Sequence, residues 1–291
     1  MSLSKTCSGL MQALDTIVFE TPLVRAARFR CGAKDPRFRD SGPANNCAVV
    51  FPRTAVWIQY SGSRSFVADP SLATIYNPGQ EYTRRAISPD GDRCEWLGVS
   101  REIALEIAAS IDRRAHDRHE RPFNAEYAPI DRSLYVAQRS LFSKLESGAI
   151  DPLNAEESII RIVATVLAQT CIEATKASVD NEAHADLVER AKESVARNPF
   201  GSQSLNDLAS ELTVSPFHLC RVFRKRTGRT IHEFKTDLRL RIALEKLEAA
   251  DISRTAFECG FSSHAHFTSV MRSKFGATPS ELRSGLAAGS R

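Results

Sequence analysis

The sequence predicts an α+β protein: a small β-barrel or sandwich, a helical segment after it, and then an all-α domain. Three observations carry this. Residues from about 15 to 100 hold many short runs rich in β-branched and aromatic residues, each bounded by Pro, Gly, Asp or Asn. Beyond about residue 100 the apolar spacing becomes that of amphipathic helices. Near the C-terminus one pattern occurs twice, as SLNDLASELTVSPFHLCRVFRKRTGRT over 204–230 and as DISRTAFECGFSSHAHFTSVMRSKFGAT over 251–278.

The strand runs stand at 49–51, 55–60, 65–68, 73–76 and 95–99. Many short strands at close spacing favour a closed or two-layered sheet. A first helix is expected over 100–114, where Ile103, Ile107 and Ile111 recur at i, i+4 and i+8. A second over 134–145 carries Leu134, Gln138, Leu141 and Leu145, and a third over 154–176 carries Ile159, Ile162, Val163, Val166 and Leu167. Residues 148–152 join the last two as an antiparallel pair. Periodicity shows that a face is buried, not what buries it. Leu134, Leu141, Leu145, Ile159, Ile162 and Val166 therefore either close the first domain or form the seam of a homodimer. A polar, small-residue stretch over 174–185 reads as a linker. It divides the chain into domains at 1–180 and 184–285. Helical periodicity resumes over 185–198 and stops at 199–202.

Each copy of the repeated pattern reads as helix, tight turn, helix and terminating glycine. In the first unit, 204–228, Ser204 is a good N-cap and Asp207 lies near the positive end of the helix dipole. Leu205, Leu208, Ala209 and Leu212 form its apolar stripe. Ser215 caps the second helix, with Pro216 at the first position, where its missing N–H costs nothing. Leu219, Val222 and Phe223 face inward and Gly228 ends the helix. In the second unit, 252–276, Ile252, Ala256, Phe261, Phe267, Met271 and Phe275 form the stripe, Gly260 supplies the turn and Gly276 the stop. A helix over 231–248, with Phe234, Leu238, Ile242 and Leu247 at helical spacing, joins the units. Its length is about 27 Å at 1.5 Å per residue. Two readers on that helix suit successive major-groove turns, roughly 34 Å apart.

Bulk properties narrow the classes. The 291 residues are 42% hydrophobic and 25% charged, as in an ordinary globular protein. No run of about 18 apolar residues predicts a membrane span, and the first residues lack a signal-peptide pattern. A cytoplasmic protein is expected. Seven cysteines, widely spaced and without a C-x-x-C pair, argue against a disulfide framework or structural zinc. Residues 184–291 hold 17 basic and 12 acidic residues, against 22 and 23 in the rest of the chain. Residues 221–241 alone hold eight basic and two acidic. A positive field focused on one segment suits a polyanion.

Residues 185–285 resemble the AraC/XylS transcriptional regulators. The resemblance rests on both helix-turn-helix units, the joining helix, the spacing of Ala256, Gly260, Phe261, Phe267, Phe275, Gly276 and Pro279, and the closing F-G-x-T-P-S-E-L-R over 275–283. It implies a regulator that binds double-stranded promoter DNA and works with RNA polymerase. The residues implied to touch base edges are Phe217, Cys220 and Arg221 in the first unit, and His264, Ala265, His266 and Ser269 in the second. Arg221 can donate two hydrogen bonds to a guanine edge, and Phe217 and Ala265 can pack on a thymine methyl. Arg224, Arg226, Arg229, Arg272 and Lys274 are phosphate candidates, for which Glu233 and Asp237 compete as ion-pair partners. Ser269 stands where the first unit has Arg221, so weaker binding by the second unit is expected. His264 and His266 diverge by about 200° on a helix, which suits a DNA-facing surface rather than a metal site.

The resemblance also implies a cupin-like N-terminal barrel. The first histidine is His116, so the barrel lacks the usual metal ligands; neither metal nor other cofactor is expected, and no catalytic residue is assigned. An effector pocket is expected among Arg53, Trp57, Tyr60, Arg64, Tyr76, Tyr82 and Trp96. A few aromatics with a cation suit a small aromatic or acidic ligand; the same aromatics would also serve as core. The arginine pairs at 84–85 and 113–114 read as surface. The function expected is sequence-specific regulation responsive to a small molecule. A regulator controlled by abundance or a protein partner is one alternative. A DNA-repair enzyme with a DNA-binding tail is another, and it would need an activated Cys94 or Cys31.

Overall fold

The computed structural model describes residues 14–40, 42–112, 120–174, 182–247 and 250–287. Its N-terminal region carries two antiparallel sheets. The larger runs in the order β1 (Asp15–Glu20), β2 (Val24–Cys31), β8 (Asp92–Val99), β3 (Cys47–Pro52), β6 (Leu72–Tyr76) and β9 (Tyr127–Pro129). The smaller sets β4 (Val56–Tyr60) between β5 (Phe66–Ala68) and β7 (Tyr82–Ala86). Among the described residues the ladders form these two sheets and do not close into one ring. β3 and β6 are buried along nearly their whole length. They lie inside a layered structure covered on both faces, which explains their unbroken apolar runs.

β7 corrects one expectation. Strand alternation sends successive side chains to opposite faces. Arg84 therefore points inward and is 5% exposed, while Arg85 points out against Glu193 at 3.0 Å. The inward arginine is matched by Asp92 of β8 at 2.6 Å. The other arginine pair, at 113–114, and His116 lie outside the described residues, as does most of the expected linker.

Helices α1 (Arg101–Ile111), α2 (Arg132–Ser147) and α3 (Pro152–Ala174) follow. Ser100 and Asp131 cap α1 and α2 by accepting the amides of Ile103 and Leu134. Leu134, Leu141, Ile159, Ile162 and Val166 are buried in the chain's own core, with Leu145 partly buried against it. That stripe packs on the larger sheet and on the C-terminal helices, so it is not open to a second copy. The outward face of α3 instead carries Glu157, Arg161 and Thr165.

The C-terminal region is all helical: α4 (Glu182–Arg197), α5 (Leu205–Glu211), α6 (Pro216–Thr227), α7 (Ile231–Leu247), α8 (Ile252–Glu258), α9 (His264–Phe275) and α10 (Pro279–Ala287). The two helix-turn-helix units are packed differently. Leu208, Leu219, Val222 and Phe223 of the first share a core with α4 and the first half of α7. Ala256, Phe261, Phe267 and Met271 of the second join the core that runs into α2, α3 and the large sheet.

α7 is the hinge-pin of this arrangement. Phe234 and Leu238 face the first unit, and Leu240, Ala243, Leu244 and Leu247 face the larger core. Polar groups lock it to the N-terminal region. Arg241, 1% exposed, donates to the carbonyls of Pro70 at 2.9 Å and Ile130 at 3.0 Å. Asp237 accepts from Arg132 of α2 at 2.8 Å and from Arg241 at 3.1 Å. Glu245 meets Arg53 at 3.1 Å and accepts from Tyr135 at 3.3 Å.

Candidate nucleic-acid interface and effector cavity

α6 forms where the sequence supplies a start and a stop. Ser215 accepts the amide of His218 at 3.2 Å, Pro216 occupies the first turn, and Gly228 ends the helix at φ 70°. Burying Leu219, Val222 and Phe223 turns the opposite face to solvent. Phe217 is 79% exposed, and Cys220 and Arg221 are exposed beside it. Arg221 lies 3.5 Å from His218 Nδ1, and the His218 ring meets that of His184 of α4 at 5.6 Å.

α9 repeats the design. Ser263 accepts the amide of His266 at 3.1 Å, and Gly276 stops the helix at φ 74°. Phe267 and Met271 face in, leaving His264, Ala265, His266 and Ser269 exposed. His266 is steadied by Ser262, whose Oγ lies 3.0 Å from Nδ1. The α6 candidates thus share one solvent face, while those of α9 are all exposed and spread around the start of their helix.

The phosphate candidates divide. Arg224, Arg226 and Arg272 are exposed and Lys274 is half-buried. Arg229 is drawn inward: its guanidinium lies 3.3 Å from Asp237, donates to Ser71 Oγ at 3.3 Å and covers the Phe234 ring. It belongs to the contact with the N-terminal region, because Asp237 is a buried carboxylate that needs cations. Glu233, the other competing carboxylate, accepts the Thr230 amide at 2.8 Å as a cap of α7. Its pKa is lowered by hydrogen bonds from Thr230 and also by the charges of Lys274 and Arg224. The basic ends of α6 and α9 therefore both lie near the start of α7.

A cavity of about 190 Å³ opens between the two sheets, beside the segment 42–46. Of the pocket candidates, Tyr76, Tyr82 and Trp96 line it. Arg53, Trp57 and Tyr60 do not. Arg53 is buried against Glu95 and Glu245 under α7. Trp57 lies under the Arg85 guanidinium, 4.8 Å from ring to cation. Tyr60 is core, donating its hydroxyl to the Ile75 carbonyl at 3.0 Å. Arg64 is on the surface, paired with Glu182. The cation that lines the cavity is Arg84, a residue whose sequence context reads as surface. A strand of two adjacent arginines carries a signal that only one of them faces out, but nothing local says which.

Burial dominates Cys94 and Cys31. It pushes the Cys94 thiol well above its ordinary range and raises that of Cys31. This is the reverse of the activated thiolate that a methyl-acceptor chemistry needs. Among the described residues no three His, Cys, Asp or Glu side chains gather as a metal site, and no helix is long and apolar enough to cross a membrane.

Two helix-turn-helix units around a shared buried helix define a DNA-binding type of domain. Comparison with known proteins agrees. A helix-turn-helix domain family matches residues 208–285. The HTH-type transcriptional regulator GlxA of Rhizobium meliloti is 34% identical over 93 residues, 31% of this chain and 28% of that protein. The HTH-type transcriptional activator RhaR of Mannheimia succiniciproducens is 27% identical over 160 residues, 53% of this chain and 57% of its own. The matches thus span less than two thirds of these relatives. ToxT from Vibrio cholerae, 13% identical, aligns over 90% of this chain and 98% of its own with a TM-score of 0.38. The C-terminal region of this chain is a helix-turn-helix domain of AraC type, with AraC-family regulators among its homologues.

Proposed function

We propose that the chain is a transcriptional regulator that reads promoter DNA with α6 and α9 and responds to a small molecule held in the N-terminal cavity. The observation that carries the DNA reading is the exposed face of α6, where Phe217, Cys220 and Arg221 stand clear of every packing demand. Arg221 is assigned to a guanine edge, and Phe217 to a thymine methyl. His264, Ala265, His266 and Ser269 form the second, weaker reader. Arg224, Arg226, Arg272 and Lys274 are assigned to phosphates; Arg229 is withdrawn from that set. The effector reading rests on the cavity and on α7, which touches both helix-turn-helix units and the N-terminal region. A ligand that shifts the sheets against α7 changes how the two readers are placed. RNA polymerase is the partner such a regulator would engage.

The test is capture of fragmented genomic DNA by the purified full chain, followed by sequencing. Two short boxes about one helical turn apart are expected. Arg221→Ala should weaken the selected site by about 1–3 kcal/mol and relax one base position. Equal loss on random DNA would reduce Arg221 to a phosphate contact.

A further inference from the structure

The cavity between the sheets says more than that a ligand enters it. We propose that it takes an uncharged, single-ring molecule bearing a hydrogen-bond acceptor, and that it discriminates against carboxylates and long acyl chains. This rests on reading the cavity as the effector site.

Size sets the first limit. An engineered apolar cavity of about 150 Å³ in another protein holds benzene. The present volume of about 190 Å³ therefore suits one ring with a small substituent. The walls suit a ring as well. Tyr76 and Tyr82 meet edge to face at 4.9 Å, and Phe29 and Trp96 complete an aromatic lining.

Charge sets the second limit. The cationic lining group, Arg84, is already neutralised by Asp92 at 2.6 Å, and both are 5% exposed. Asp15, at the cavity edge, accepts from the Trp96 indole at 2.7 Å. A carboxylate would enter a site holding two carboxylates and no unbalanced cation, and would lose its hydration without a partner.

Hydrogen bonding sets the third. Arg84 Nε is buried and makes no hydrogen bond, and the Thr74 hydroxyl is buried beside that of Tyr76. Arg84 and Thr74 both line the cavity. The guanidinium N–H can only donate, so its missing partner is an acceptor. A neutral carbonyl or hydroxyl supplies one without adding charge.

The experiment titrates the full chain by calorimetry and thermal shift with benzamide, benzoate, benzylammonium and decanoate. Benzamide is expected to bind and raise Tm, with the three charged probes at least about tenfold weaker, a difference of about 1.4 kcal/mol. Thr74→Val should weaken benzamide. Ile58→Trp should fill the cavity and abolish binding with the far-UV spectrum kept; Val50→Phe serves if that variant does not fold. Benzoate, benzylammonium or decanoate binding as tightly as benzamide, and lost in the filled variant, would overturn the ligand class while leaving the effector site intact. Binding of no probe also overturns the class. A reporter on the captured promoter then separates the two readings. If Ile58→Trp fixes its output in one state, the effector site survives; if output is unchanged, that reading fails too.

Discussion

Replacing Arg241 by Met should separate the two halves of this molecule. The methionine keeps much of the side-chain volume but removes the charge and the donors. Four interactions go: the bonds to the Pro70 and Ile130 carbonyls, at 2.9 and 3.0 Å, the ion pair with Asp237 at 3.1 Å, and the guanidinium over the Tyr135 ring at 4.7 Å. Asp237 keeps Arg132 and Arg229, so it is not stranded. The two carbonyls each lose a charged donor, at about 1–3 kcal/mol apiece where no replacement partner arrives. A loss of about 3–5 kcal/mol follows, in the range for breaking a buried ionic contact. The assay uses the placement of the tryptophans. Trp57 and Trp96 are the only two and both lie in the sheets. Their fluorescence in urea reports the N-terminal region, whereas far-UV circular dichroism is dominated by the helices. In the wild type the shared core should make the two transitions coincide. In Arg241→Met they should part, with the tryptophan transition moving independently of the helical one. Coincident transitions with stability within about 1 kcal/mol of wild type would refute the argument that Arg241 locks α7 to the sheets.

Other outcomes follow from single residues. Arg224→Ala should reduce the salt slope of DNA binding by about 1, while Arg229→Ala should leave the slope unchanged and lower stability instead; equal slopes lost in both would return Arg229 to the phosphate set. Burial pushes the Glu95 carboxyl up, but the guanidiniums of Arg53 and Arg139 and the hydrogen bonds from Arg53 and Gln138 outweigh it and hold it at about 2, against an ordinary 4.5. Its folded pKa is depressed, so its contribution is complete above about 4.5 and disappears as pH falls toward about 2, a loss of roughly 3 kcal/mol. Glu95→Gln should therefore be less stable at pH 7 and show a flatter acid limb; an acid limb identical to wild type would count against the assignment. Thr213 sits in the turn of the first unit at φ 60°, where the second unit has Gly260 at φ 75°. Thr213→Gly relieves about 1–2 kcal/mol of left-handed strain and adds about 0.5–1 kcal/mol of chain entropy to the unfolded state. A gain of up to about 1 kcal/mol in chemical denaturation is expected, and a clear loss would show that the threonine side chain has another role.

The C-terminal domain was legible because its information is local. Ser204, Ser215 and Ser263 cap helices through amides three residues on. Gly228 and Gly276 end them in the left-handed region, and apolar residues three and four apart decide which face turns outward. The exposed faces of α6 and α9 therefore follow from spacing alone. The strands at β3, β4, β6 and β8 were legible for a similar reason, through apolar runs between turn residues.

What surrounds each element was decided by the tertiary structure. The Leu134 and Ile159 stripes announce burial, but only the packing of α2 and α3 on the sheet and on α9 and α10 says that the chain covers them itself. The composition of Arg84–Arg85 is that of a surface, and the phase of β7 alone sends one inward to Asp92. Arg229 looks like a phosphate binder and Arg241 is one more cation of a basic segment; both are structural because Ser71, Pro70 and Ile130 arrive from chain segments far away. A local pattern sets which side of a helix or strand is apolar. The partner that meets that side, and the charge it carries, depend on contacts distant in sequence, and no local spacing encodes them.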